Sequence, residues 1–226
     1  MKTNSEIRQE SLSLMKGNWG ISVAVTLVFL LIVYAVSAVA GAIGAFCCGP
    51  TCGDTNGASI GIQLFSMAAT ILFVYPMTFS LVMMFLHFVR GEQKLSVGGL
   101  FGAFSAPYYG KSVGVYLLIN IFSFLWALLL IVPGIIKALS YSLAPYILAD
   151  NPNLTANEAI NESMQMMKGH KMDLFLIGLG YFGFTMLSVL ALGIPLLWLY
   201  PYYQTVLAKF YEEVKADYNP QFANRV

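Results

Sequence analysis

The chain has 226 residues, 58% hydrophobic and 10% charged, with a net charge of +1 and a mean hydropathy of +0.72. Soluble domains carry about 25% charged residues, so a soluble fold of this size would lack the polar surface to cover itself. The near-neutral balance gives no sign of a nucleic-acid partner, and Cys47, Cys48 and Cys52 are neither a disulfide framework nor a zinc spacing.

In chain order, the first predicted element is "TNSEIRQESLSLMKG" (3–17), a polar amphipathic helix. Thr3 and Glu6 make a Thr-x-x-Glu capping box, and Gly17 after Lys16 is a helix stop with a cation near the negative end of the dipole. Ile7, Ser11, Leu14 and Met15 form its less polar stripe. The first apolar run, 20–46, is longer than the roughly 7–15 residues of a signal-peptide core, which predicts a permanent span. A glycine- and proline-containing loop with the three cysteines follows. The next run, 58–90, would measure on the order of 50 Å as one straight helix, against a hydrocarbon core of roughly 30 Å. Pro76 predicts a kink in it. The spanning part is expected near 68–90, with the rest of 58–75 tilted, re-entrant or projecting outside. Hairpin 1 is therefore 20–90.

Segment 96–110 is a degenerate version of the first helix. Ser96 and Gly110 keep the separation of Thr3 and Gly17, but the interior has lost its charges and Pro107 weakens any helix. Hairpin 2 (111–150) is predicted to turn at Pro133-Gly134. Then comes "TANEAINESMQMMKG" (155–169), with its capping box at Thr155 and Glu158 and its stop at Gly169. At an offset of 152 it matches 3–17 at Thr3/Thr155, Glu6/Glu158, Glu10/Glu162, Ser11/Ser163, Met15/Met167, Lys16/Lys168 and Gly17/Gly169. Ordinary residue frequencies give about one such match. Hairpin 3 (171–214) turns at "GIP", ending in Pro195, and 215–226 is a tail.

The fold class is thus all-α: one polytopic membrane domain over 1–226, with six transmembrane helices in three hairpins. Each hairpin follows an interfacial amphipathic helix, the middle copy degenerate. Eleven basic residues (Lys2, Arg8, Lys16, Arg90, Lys94, Lys111, Lys168, Lys171, Lys209, Lys215 and Arg225) then fall on one side, which places both termini in the cytoplasm.

Lys137 is the exception. It stands four positions after Pro133 in the outer half of span four, with Tyr141 on its face and Tyr202 or Tyr203 of span six positioned to approach. An ionisable group there is costly and often functional; the alternative is a side chain that snorkels to the outer headgroups. Asn120, midway along span three, either lines a polar pathway or bonds across a helix interface. His87 near Arg90 reads as an interfacial side chain. Pro76, Pro145 and Pro201 interrupt the second helices of the hairpins, as binding-site breaks or as simple curvature. "GLGYFG" (178–183) matches a dinucleotide fingerprint only formally, since no strand precedes it.

Three stretches carry a resemblance: "MKGNWG" (15–20), "PGIIKALSYSLAPYILADNPNLTANEAINESMQMMKGHKMDLF" (133–175) and "LLWLYPYYQTVLAKFYEEV" (196–214). Together they resemble the bacterial integral membrane family called domain-of-unknown-function family 975. The resemblance implies a multi-pass protein of the bacterial inner membrane. It implies no activity, substrate or catalytic residue. The Cys47–Cys52 loop is not part of that pattern.

No H-E-x-x-H motif occurs in the chain, and the predicted spans hold almost no acidic residue. The expected function is non-catalytic, without cofactor or metal. It is an interaction with membrane lipids, a membrane-protein partner or a second copy through the interfacial helices. A transporter, channel or transporter subunit for a small solute, ion or peptide is the alternative, and a membrane-embedded enzyme the least favoured one.

Overall fold

The structure, a computed structural model, describes residues 2–48, 63–105, 107–191 and 193–223. Residues 58–62, Cys52, Ala106 and the last three residues lie outside the described residues, as do the side chains of Cys47 and Cys48. Among the described residues every regular element is helical: α1 (Asn4–Met15), α2 (Trp19–Cys48), α3 (Gln63–Val89), a 3₁₀ segment (Val97–Phe104), α4 (Tyr108–Leu129), α5 (Ile131–Tyr141), α6 (Ala144–Asp150), α7 (Ala156–Met166), α8 (Lys171–Leu190) and α9 (Leu196–Ala223).

Five stretches are long and apolar enough to cross a bilayer: Trp19–Ile43, Gln63–Val89, Tyr108–Leu129, Val132–Asp150 and Lys171–Leu190. The expected sixth, 196–214, is not among them, because Pro201, four tyrosines, Gln204, Lys209, Glu212 and Glu213 dilute its leucines. It is instead part of one helix that continues to Ala223, so the predicted tail is helical over most of its length. Much of α9 is core: Val206, Ala208, Phe210, Tyr211 and Val214 are all buried.

Both capping boxes form as their sequences dictate. The Thr3 and Thr155 backbone N–H groups donate to Glu6 at 2.7 Å and Glu158 at 2.8 Å, while each threonine hydroxyl accepts from the glutamate N–H. Gly17 and Gly169 take φ of 86° and 92°, the left-handed conformation that ends each helix turn at no steric cost. Segment 96–110 differs from this pattern. Gly98, Gly99 and Gly102 are poor α-formers, and the chain there winds into the tighter 3₁₀ form, capped by Ser96 on the Gly99 N–H.

All three connecting segments turn their apolar residues into the protein. Ile7, Ser11 and Met15 of α1 are buried against α9, where the Thr205 hydroxyl donates to Met15 Sδ at 3.4 Å. Ala159, Ile160, Ser163 and Met166 of α7 are buried, and Ser163 is bonded to the α5–α6 junction. Leu100 and Ala103 of the 3₁₀ segment are buried, with the Ala103 N–H donating to Ser80 of α3 at 2.9 Å. Each segment thus covers a helix that contains a proline: Pro201, Pro145 and Pro76 respectively.

Proline has no N–H, so the carbonyl four residues earlier loses its donor. For Pro76 that carbonyl is Leu72, and the Tyr109 hydroxyl donates to it at 3.0 Å. A π turn at Thr70–Val74 absorbs the disturbance, so α3 continues through Pro76 without an interruption. Near Pro145 the helix breaks outright at Ser142–Leu143. There Ser163 Oγ accepts from the Leu143 N–H at 3.2 Å and donates to the Ser140 carbonyl at 2.7 Å.

The Pro133-Gly134 turn is displaced. The chain reverses at Leu130 (φ −160°, ψ 138°), and Pro133 falls inside the first turn of α5. Gly134 is required for a different reason: a Cβ there would lie 2.9 Å from Ala127 Cα, so only glycine lets α4 and α5 close this tightly. In hairpin 3 the turn forms at Gly193 (φ 76°), with Pro195 just before α9.

Ser163→Ala leaves a buried Leu143 N–H unpaired and is expected to cost about 1–3 kcal/mol. Ser11→Ala, whose hydroxyl bonds only to Ile7 O within its own helix, should cost less; thermal unfolding of the two variants in one detergent checks the order. The backbone hydrogen bonds from Thr3 and Thr155 hold the Glu6 and Glu158 carboxyls below the ordinary value of 4.5. A depressed folded value means stability that is present at neutral pH and lost as pH falls through that region. Amide exchange in α1 and α7, corrected for its intrinsic rate, should therefore quicken between pH 6 and about pH 3.

Candidate functional site

The strongest concentration of charge among the described residues joins the ends of two helices to the body of a third. Arg90 follows α3, Asp150 ends α6, and Tyr211, Glu212 and Lys215 lie on successive turns of α9. Arg90 holds Asp150 with two hydrogen bonds, Nη1 to Oδ1 at 2.7 Å and Nη2 to Oδ2 at 2.9 Å. Its Nε and Nη2 also donate to Glu212 Oε1, at 2.9 and 2.7 Å. Asp150 Oδ2 further accepts from the Tyr211 hydroxyl at 2.7 Å and pairs with Lys215 at 2.5 Å.

The planar guanidinium suits this task, because its fork matches a carboxylate while a second edge serves another. Asp150 is 7% exposed, too buried for water to stand in for a lost partner. Two cations face two carboxylates, so the cluster is neutral as a whole. Its hydrogen bonds with Asp150 raise the Arg90 pKa above its ordinary value.

The residues singled out in the sequence do not assemble. Lys137 Nζ lies 4.8 Å from the Trp126 ring centroid, a cation–π contact with the adjoining helix of its own hairpin. Asn120 is exposed, and its amide donates to Tyr116 O one turn back at 2.8 Å. Tyr141 packs against Phe122 at 6.2 Å, and Tyr203 stacks on Tyr181 at 4.0 Å. Among the described residues no hydrogen bond or ion pair joins any two of Lys137, Asn120, Tyr141 and Tyr203. His87 faces Glu92 at 3.7 Å. No cluster of three or more metal-ligating side chains occurs among the described residues.

A groove of about 470 Å³ runs between α5–α6, α8 and α9. Ile135, Leu139 and Tyr146 form one wall, Leu174, Gly178 and Phe182 the second, and Tyr203 and Leu207 the floor. Tyr146 stacks on Tyr211 at 5.3 Å, next to the charged cluster, yet its own buried hydroxyl has no hydrogen-bond partner among the described residues.

The sequence carried a signal for the charged cluster. Arg90 and Lys215 each stand fourteen positions after a Tyr-Pro proline, Pro76 and Pro201, and both meet Asp150. Read as interfacial charges, they gave no hint of pairing across the chain.

A family model described as "Protein of unknown function (DUF975)" matches residues 1–140 and again residues 128–218. No curated protein and no solved structure matches the chain.

Asp150→Asn leaves Arg90 and Lys215 without their shared carboxylate, and should lower stability by about 3–5 kcal/mol. Replacing Arg90 and Asp150 together with Met and Leu should recover much of that loss, since a buried pair offsets mainly its own desolvation. Chemical unfolding in a single detergent compares them.

Proposed function

This chain belongs to the DUF975 family of unknown function, and on that premise we propose a non-catalytic protein of the bacterial cytoplasmic membrane that works through a protein partner at its cytoplasmic face. One observation carries this reading. The apolar stripes of α1 and α7 are spent inside the molecule, with Ile7, Met15, Ile160 and Met166 all buried. What they present outward is polar but for Leu12: Ser5, Gln9 and Ser13 on α1, and Asn157, Glu158, Asn161 and Gln165 on α7. An amphipathic helix that lay on lipid would point its apolar stripe the other way. The outward faces are therefore suited to a polar protein surface rather than to acyl chains.

The membrane topology that goes with this reading has six crossings. Five come from the long apolar stretches. The sixth is α9, and the contact between its far end and the N-terminus supports it: the Lys2 N–H donates to Glu213 at 3.3 Å. An odd number of crossings would put Lys2 and Glu213 on opposite faces of the bilayer. With six, α1, α7 and the Arg90–Asp150 cluster share the cytoplasmic side, in keeping with the distribution of lysine and arginine.

Photo-crosslinking residues introduced in living cells at Gln9, Asn161 and Leu190 test the proposal. Leu190 is 84% exposed on the apolar surface. Discrete protein adducts are expected at Gln9 and Asn161 and not at Leu190. An adduct near twice the 24.8 kDa chain would identify the partner as a second copy. Lipid-only or absent adducts at both polar positions would overturn the reading.

A further inference from the structure

The groove beside α8 has properties that a packing defect does not share. Its volume of about 470 Å³ falls within the range of small-molecule sites, roughly 300–1,000 Å³. It opens between two stretches long and apolar enough to cross a bilayer, Val132–Asp150 and Lys171–Leu190. The residues at its mouth are exposed and apolar: Ile135 at 47%, Leu179 at 53% and Phe182 at 57%. From Leu174 to Phe182 the α8 wall is about 12 Å long at 1.5 Å per residue.

Two polar features break this apolar surface, both towards the same end. Tyr146, on the wall opposite Leu174, has a buried hydroxyl with no partner among the described residues. A buried donor left unpaired is costly, so a ligand acceptor there would be strongly favoured. Lys171 begins α8, and residues three, four and seven positions on (Leu174, Phe175 and Gly178) line the groove. Helical spacing therefore puts Lys171 on the groove face, one turn beyond its end. It makes no ion pair among the described residues, whereas neighbouring His170 and Lys168 face Asp217 and Gln165.

We propose that this groove binds one anionic phospholipid. An acyl chain fills the space between Ile135, Leu139, Gly178 and Phe182, an ester carbonyl accepts from the Tyr146 hydroxyl, and the phosphate meets Lys171. The order of the three contacts follows that of a phospholipid, with the headgroup about one helical turn from the ester and the chain beyond it. The site is independent of the partner-facing surfaces of α1 and α7.

Gly178 supplies a selective test. A Cβ added there meets nothing within 4 Å, so a large side chain enters the groove without disturbing the fold. In a helix the change also relieves the conformational cost of glycine. Purified protein, delipidated in detergent, would be titrated with phosphatidylglycerol or phosphatidylcholine and bound lipid counted by native mass spectrometry. Wild type is expected to retain one phosphatidylglycerol. Gly178→Phe should lose it while its unfolding temperature in lipid-free detergent stays at or above that of wild type. Lys171→Gln should reduce the preference for phosphatidylglycerol over phosphatidylcholine about five-fold, and Tyr146→Phe should weaken both lipids about five-fold. Undiminished lipid retention by Gly178→Phe would overturn the site. Equal retention of both lipids by wild type would overturn its anionic character.

Discussion

Asp150 is the point on which the arrangement turns. One carboxylate, its side chain 7% exposed, receives hydrogen bonds from the end of α3 and from within α9, which reach it from opposite directions along the sequence. Hydrophobic burial cannot fix how apolar helices rotate against one another when their outer faces are apolar too. A forked ion pair can, because a one-turn slip of α3 or α9 would carry Arg90 or Lys215 about 5 Å out of register and strand a buried charge. The cluster thus sets the relative height of α3, α6 and α9, two of which, α6 and α9, line the groove.

The prolines raise the complementary problem of backbone satisfaction. Each removes a donor from a helix surrounded by apolar groups, where a stranded carbonyl has no water to turn to. Tyr109 supplies the missing donor to Leu72, and Ser163 pairs both a donor and an acceptor at the α5–α6 break. For Pro76 the repair comes from the segment leading into the next hairpin, and at the break beside Pro145 the same kind of segment pairs the groups that the break leaves open. The connecting segments are therefore structural parts of the helices they cover.

Composition, the long apolar runs and the capping boxes of α1 and α7 were legible because they depend on local sequence alone. Thr3-x-x-Glu6 and Thr155-x-x-Glu158 need no tertiary context to form. The turn at Leu130 was not legible: Pro133 and Gly134 are turn residues by type, but Gly134 is there to admit Ala127, a contact 7 residues back that spacing cannot reveal. Pro76 was read as an interruption because nothing local announces a π turn or the Tyr109 hydroxyl. The charged cluster escaped for the same reason. Arg90 and Asp150 are 60 residues apart, and Arg90 and Glu212 are 122 apart, so each looked like a solitary charge at a helix end. Lys137 drew notice by being alone in an apolar stretch, and its actual neighbour, Trp126, is an aromatic ring that charge-pairing rules do not search for.

Lys2 and Glu213 meet across 211 residues of chain. Synthesis proceeds from the N-terminus, so α1 exists long before the helix it is built to rest on. Throughout that interval Ile7 and Met15 lack the α9 side chains that cover them in the folded chain. The docking of α1 is therefore a late step of assembly, once α9 has been made. A truncation that removes Thr205 to Glu213 would leave the beginning of the molecule, not only its end, without a resting place.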